Sequence, residues 1–243
     1  MALLLYGITR AGSMPDLEMT GVGGAAVESV RTGSIVMLAS HYEGEELSPR
    51  RRNLSEFQKV VNAVAARTDI LPSTFGLLSD DAEQVRALLD RNAALIESEL
   101  ARIAGCLEFS LRIRWNGENI FAWFVERFDS LRVIRDRYFE GGRIPTQDER
   151  LQLGKGFEHL LTAERAQTLR RVTEALGPQI DEWRELSHPS EATLCSLALL
   201  VRRQLGSDFD GAIETLAGQY DDNHVFELLG PWPPYSFTEL RLE

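Results

Sequence analysis

Cysteine is scarce in this chain of 243 residues and basic residues are fewer than acidic ones, and each feature excludes a class of protein. The only cysteines, Cys106 and Cys195, lie far apart in apolar stretches and form no CxxC pair. This excludes a disulfide framework and predicts two buried free thiols. The 26 basic residues are outnumbered by 37 acidic ones, so the formal net charge is -11. Nucleic acid and anionic membranes repel such a chain, and we expect neither as a partner.

Long apolar runs are also absent. Residues 2–8 are apolar, but this run is too short to span a membrane, and it lacks the basic leader and cleavage site of a signal peptide. We therefore expect a cytoplasmic protein without a membrane segment. The composition is otherwise that of a globular protein, with 44% apolar residues, and the length suffices for one large or two small domains.

Motifs for catalysis, cofactors and metals are missing as well. The chain contains no GxSxG elbow, no Walker loop and no plausible Cys–His pair. Residues 21–26 satisfy a relaxed GxGxxA pattern, but a strand-like run follows where a dinucleotide site needs a helix. The polar clusters at residues 41–46 and 221–224 lack the ligand spacing of zinc and calcium sites. We therefore predict no catalytic residue, no cofactor and no metal ligand.

Hydrophobic periodicity predicts an α+β domain over residues 1–115. Its predicted helices have apolar residues at helical spacing over residues 54–64 and 85–103. The predicted strands cover residues 2–8, 26–30, 34–39 and 107–114. We expect one sheet with one layer of helices on one side.

The second domain, residues 116–243, is predicted to begin with a long helical hairpin. One helix extends to about Phe139, the pair Gly141-Gly142 breaks it, and a second helix runs from about Gln147 to Leu176. A smaller α+β unit should follow. Its predicted elements are strands at residues 180–185, 192–201 and 224–229 and a helix at residues 208–216.

Aromatic residues concentrate in the first helix of this hairpin. Phe121, Phe124, Phe128 and Leu131 form one apolar stripe, which is typical of a buried helix face. Trp123 lies off that stripe, so we consider it a candidate contact for a partner protein.

The most specific motif is the octapeptide GPWPPYSF at residues 230–237. Its prolines fix the backbone and exclude a helix or a central strand, while its aromatic rings are costly to leave in water. Two roles are open for Trp232, Tyr235 and Phe237. We favour an aromatic clamp packed on the C-terminal sheet over an exposed patch that docks a partner.

Four further marks precede this octapeptide in order. They are Tyr6-Gly7, the LPxxFG stretch at residues 71–76, Glu108 and Leu153-Gly154. With these marks the chain resembles the gas vesicle accessory proteins F and L over nearly its whole length. One departure is that Ser73-Thr74 stand where the family commonly carries a basic residue.

The resemblance implies a small N-terminal α+β module and a C-terminal modified ferredoxin-like domain with extended helices. It also implies a non-enzymatic accessory or minor structural protein of gas vesicle assembly, located in the cytoplasm and at the gas vesicle. Its implied partners are the hydrophobic rib-forming shell subunit and other accessory proteins. The alternative is a regulatory α+β protein that binds a small molecule or nucleotide, since a ferredoxin-like topology hosts many functions.

Overall fold

The helices and strands of the computed structural model follow an α+β order, which confirms the predicted fold class. The structure describes residues 2–13, 18–44, 46–187 and 189–238. In chain order the elements are β1 (Ala2–Arg10), β2 (Val27–Thr32), β3 (Ile35–Tyr42), α1 (Arg51–Ala65), β4 (Leu71–Pro72), β5 (Leu78–Ser79), α2 (Ala82–Arg91), α3 (Ala93–Arg102), β6 (Cys106–Trp115), α4 (Ile120–Arg127), α5 (Asp129–Phe139), α6 (Gln147–Leu176), β7 (Ile180–Glu185), β8 (Thr193–Arg202), α7 (Gly206–Ala217) and β9 (His224–Trp232).

The chain forms two compact units, and neither is continuous in sequence. The first unit comprises the chain as far as Phe109, Leu200–Gly206 and the chain from Gly230 onward. The second comprises Ser110–Leu199 and Ser207–Leu229. The division into residues 1–115 and 116–243 stays a prediction. The octapeptide, however, belongs to the same compact unit as the N-terminal elements.

The first sheet is antiparallel, with the order β2-β3-β1-β4, and β5 also pairs with β1. β1 and β3 are buried along almost their whole length, so both faces of the sheet are covered. On one face Leu4, Tyr6 and Leu38 pack with apolar residues of α1. α2 and α3 also contact β3, and Leu5 and α2 line one surface depression. α1 covers one face of this small sheet, and strands that are apolar on both faces need a second covering layer on the other.

The second sheet has the order β7-β8-β6-β9. Its chain order is strand, helices, strand, strand, helix, strand, which is the ferredoxin-like arrangement. β6 lies between β8 and β9, so the strand predicted at residues 107–114 was wrongly assigned to the N-terminal sheet. Alternating apolar residues predicted that strand correctly, but they carry no information about which strands pair with it.

The helical hairpin of the second unit is formed by α4, α5 and α6. The single predicted helix up to Phe139 is interrupted at Phe128, whose backbone is extended. α6 begins at a capping box, in which Thr146 and Glu149 satisfy each other's backbone amides. Buried residues of the three helices share one core with the sheet, and they include Phe124, Val125, Leu131, Leu153 and Leu161 beside Trp115 and Leu194.

The glycine-rich stretch at residues 21–26 makes room for a buried tyrosine. The Val22 amide donates to Tyr6 Oη at 2.9 Å, and Tyr6 Oη lies 2.9 Å from Ser40 Oγ. A Cβ atom at Gly21 would lie 2.1 Å from Tyr6 Oη. β2, and no helix, follows this stretch, so the geometry of a dinucleotide site is not formed.

Gly21→Ala should therefore destabilise the protein by about 1–3 kcal/mol, because the added methyl group overpacks a filled core. Chemical denaturation measures the free energy of unfolding. Gly154→Ala in α6 is the matched control, since a Cβ atom added there would have no neighbour within 4 Å. It should be stabilising by about 0.5–1 kcal/mol, as alanine is the better helix former. Equal effects of the two substitutions would contradict the role given to Gly21.

Candidate interaction surface

The C-terminal segment, defined here as residues 230–238, begins in a sheet edge. β9 is an edge strand and extends to Trp232. Pro231 has no amide hydrogen, and an edge strand tolerates it because the outer side of the strand has no neighbouring strand to bond. Gly230 has a φ of +136°, and a Cβ atom there would lie 2.9 Å from the Glu108 carbonyl oxygen. Only glycine fits this close approach without strain.

The aromatic rings of the segment differ in exposure. Phe237 is completely buried, whereas Trp232 is 42% and Tyr235 40% exposed. Pro233 and Pro234 between them are buried. A clamp made of all three rings requires all three to be buried, and only Phe237 meets that requirement. The roles of Trp232 and Tyr235 stay predictions, but their exposure favours contact with a partner.

A buried carboxylate holds this segment in place. Glu108 is 5% exposed, and its Oε2 accepts the Ser236 amide at 2.7 Å while its Oε1 accepts the Ser236 hydroxyl at 2.6 Å. Arg102 also donates to the Phe237 carbonyl oxygen and to Glu99. Hydrogen bonds to charged groups are stronger than neutral ones, so these contacts fix the segment firmly.

The Glu108 charge also acts on Tyr235. Loss of hydration, together with the nearby Glu108 carboxylate, raises the pKa of Tyr235 to about 12. Because 40% of this residue is exposed, water screens part of the effect. The phenol therefore stays protonated at neutral pH and can donate a hydrogen bond to a partner.

The start of β6, which carries Glu108, is fixed by Arg203. Its guanidinium lies 2.8 Å from Asp69 Oδ1 and donates to the carbonyl oxygens of Ala65 and Thr68 at the end of α1. Asp69 Oδ1 also accepts the Gly105 amide at 2.9 Å. Sequence reasoning quoted Glu108 as a mark but missed these contacts, since most of them join residues far apart in the chain.

Trp123 lies in the second unit and is half-buried. Its ring is 6.2 Å from that of Trp115 and 5.9 Å from that of His224, and Arg127 Cζ lies 5.1 Å above it. Much of this residue therefore supports the helical core rather than standing free on the surface. Whether its exposed part contacts a partner stays a prediction.

The remaining polar and thiol candidates have structural surroundings. His224 Nδ1 lies 2.6 Å from Asp221 Oδ1 in the turn before β9. Burial opposes ionisation of Asp221, but the hydrogen bonds from His224 and Asn223 outweigh it and lower the pKa of this carboxyl. Cys106 and Cys195 are buried and belong to no disulfide, and burial raises the pKa of Cys195 to about 12. Within the described ranges, no three His, Cys, Asp or Glu residues are grouped to hold a metal ion.

Phe237→Ala should lower the free energy of unfolding by about 3–5 kcal/mol, because it empties a fully buried site. Trp232→Ala should cost clearly less, because two-fifths of that residue already contacts water. Denaturant midpoints of both variants check this order. A larger loss for Trp232→Ala would show that the tryptophan, and not Phe237, secures the segment.

Glu108→Gln should destabilise the protein by about 1–3 kcal/mol, since one carboxylate oxygen becomes a donor facing a donor. Ser236→Ala breaks the same contact, so the double variant should be destabilised by less than the sum of the two single effects. We expect this difference, the coupling energy, to be about 0.5–3 kcal/mol. Glu118→Gln, at an exposed position, serves as the control. Strict additivity of the first two changes would contradict the anchoring contact.

Comparison with known proteins assigns nearly the whole chain to one family. The model of the family described as gas vesicle synthesis protein GvpL/GvpF matches residues 2–239. Gas vesicle protein F of Haloferax mediterranei is 34% identical, with 99% of this chain and 94% of the relative covered. Gas vesicle protein F of Streptomyces sp. (strain CB03234) is 29% identical, with 98% and 100% covered.

The fold agrees with solved structures. The crystal structure of gas vesicle protein GvpF from Anabaena sp. PCC7120 superimposes with a TM-score of 0.87 at 24% identity, over 98% of each chain. That of GvpF from Microcystis aeruginosa gives a TM-score of 0.82 at 23% identity. At these identities the likeness shows the fold alone, and the family model carries the assignment. The chain belongs to the gas vesicle synthesis protein GvpL/GvpF family.

Proposed function

We propose that this protein is a non-enzymatic accessory protein of gas vesicle assembly. It binds the hydrophobic rib-forming shell subunit and other accessory proteins, in the cytoplasm and at the growing vesicle. The observation that carries this proposal is the family match, which extends over residues 2–239. Two relatives compared above bear the name gas vesicle protein F and are matched over nearly their whole length.

The physical properties of the chain support such a role. A net charge of -11 favours solubility, which a carrier of an aggregation-prone subunit must supply. Trp232 and Tyr235 offer partly exposed rings on a segment that Glu108 already fixes. A fixed aromatic contact loses little conformational entropy when a partner binds. None of the helices in the described part of the chain has the length and apolarity needed to cross a bilayer.

Co-expression with the rib-forming subunit tests the proposal. We expect the subunit to stay in the soluble fraction and to co-purify with this protein. Trp232→Ala combined with Tyr235→Ala should weaken that association while the protein stays folded, and Leu95→Ser, at another exposed apolar position, should not. Absence of any association, with normal vesicles in a deletion strain, would refute the proposal.

Thermal-shift measurements with nucleotides and divalent metals separate this role from that of a ligand-binding regulator. We expect no shift, in part because Tyr6 occupies the space beside the glycine-rich stretch. A rise in melting temperature with one ligand class, growing with ligand concentration, would favour the regulator instead.

A further inference from the structure

A groove on the first unit runs beside α2. It has a volume of about 530 Å³, and its apolar wall includes Leu77, Leu78 and Leu88. Gln84, Ala87, Leu88 and Arg91 lie on one face of α2 at spacings of three and four residues, so one helix face forms a wall. The buried side chains of α2, Val85 and Leu89, are different residues and are used in the core.

A smaller pocket of about 100 Å³ adjoins this groove, since Leu77 and Leu88 line both. Its apolar lining includes Ile8 and Met37 of the sheet, and its polar lining is the hydroxyl-bearing set Ser73, Thr74 and Thr238. An apolar cavity of about 150 Å³ holds a benzene molecule, so this pocket has room for one aliphatic side chain. It is too small for a nucleotide, because ligand sites usually measure about 300–1,000 Å³.

The two ends of the groove carry opposite charges. Asp80 lies at the end where α2 begins, and Arg91 lies at the end where it stops. Their separation in sequence corresponds to about 16 Å, or three turns of a helix lying alongside. Leu77, which also lines the groove, is 44% exposed, so the groove already presents an apolar side chain at the surface.

We propose that this groove binds a short amphipathic helix of a partner protein. The helix places one aliphatic side chain in the small pocket, a basic residue beside Asp80 and an acidic residue beside Arg91. A helix fits better than an added strand, because β5 has only two residues and offers too short an edge for strand addition. The inference rests on the proposed assembly role and deepens it by naming the surface and the chemistry of the partner.

The C-terminal segment takes part in this site. Thr238 lines the small pocket, and its hydroxyl donates to the Pro234 carbonyl oxygen at 3.1 Å. Leu71 and Pro72 also line the pocket, and they pair with β1 at Ile8 and Gly7. One of the marks noted in the sequence, the LPxxFG stretch, therefore meets the C-terminal segment at this pocket, although the two lie far apart in the chain.

Fluorescence anisotropy with designed peptides tests the inference. The probe is a labelled alanine-based helix of about 15 residues, the length at which isolated helices begin to be stable. It has leucines on one face, a lysine at one end and a glutamate at the other. We expect it to bind about tenfold more tightly than versions with lysine at both ends or glutamate at both ends, because only the first matches both groove charges.

Variants at the groove sharpen the test. Ala87→Glu, at an exposed position, should abolish binding by placing a charge on the apolar wall. Arg91→Glu should change the preference to the peptide with lysine at both ends, since both groove ends are then acidic. Arg86→Glu makes the same charge change on the same helix outside the groove and should leave the preference unaltered. Circular dichroism melting curves confirm that the variants are folded.

Several outcomes would overturn the inference. One is equal binding of all three peptides, and another is peptide binding that Ala87→Glu does not weaken. The third is self-association through the groove in sedimentation experiments without any peptide binding. If the peptide binds only after the residues beyond Thr238 are deleted, the natural occupant of the groove would be the C-terminus of this chain and not a partner protein. The peptide assay contains no vesicle component, so its failure leaves the co-expression result intact. Co-purification of the rib-forming subunit with Ala87→Glu as with the natural chain would place the subunit elsewhere on the protein.

Discussion

A buried carboxylate, Glu108, is the constraint on which the C-terminal part of the first unit depends. A charge removed from water is costly unless hydrogen bonds compensate it, and Ser236 supplies two of them. Each side of the contact depends on the other. The Glu108 carboxylate needs hydrogen-bond donors, and the proline-rich segment has few amides with which to form regular structure of its own. The contact therefore joins residues 128 positions apart and determines where Thr238 and Phe237 lie.

The prolines and the glycine of the segment serve this one contact. Gly230 permits the backbone to approach Glu108 closely, and the buried Pro233 and Pro234 lead into the turn that presents Ser236. Such preset backbone angles reduce the entropy lost when the segment is ordered. The same arrangement leaves Trp232 and Tyr235 partly exposed, so only Phe237 among the three rings of this short motif is packed entirely into the core.

The overall charge of the chain differs from the charge pattern of the groove. The chain is acidic overall, which favours solubility, whereas the groove beside α2 combines an apolar wall with one acidic and one basic end. Oppositely charged ends determine the orientation and register of a bound helix more than its affinity. This arrangement suits the helix binding proposed above, because the two charges would hold a bound helix in one orientation.

The sequence by itself determined the element types, the α+β class and the family. Periodicity predicted α1 and the strand that became β6, because burial on one face follows directly from apolar spacing, whereas the continuous apolar run at residues 2–8 predicted β1. Family membership could be inferred from short marks such as GPWPPYSF, whose combination of prolines and aromatics is rare. Sequence also predicted two buried cysteines, and the structure confirms both.

Only the tertiary structure decided how these elements combine. The pairing of β6 with β8 and β9, the helices on both faces of the first sheet and the link from Glu108 to Ser236 each join distant parts of the chain. Apolar spacing shows that a face is buried, but it does not show which residues bury it. The sequence also does not show that Trp232 is partly exposed while Phe237 is fully buried. Both are large aromatic residues of one motif, and only packing against particular neighbours distinguishes them.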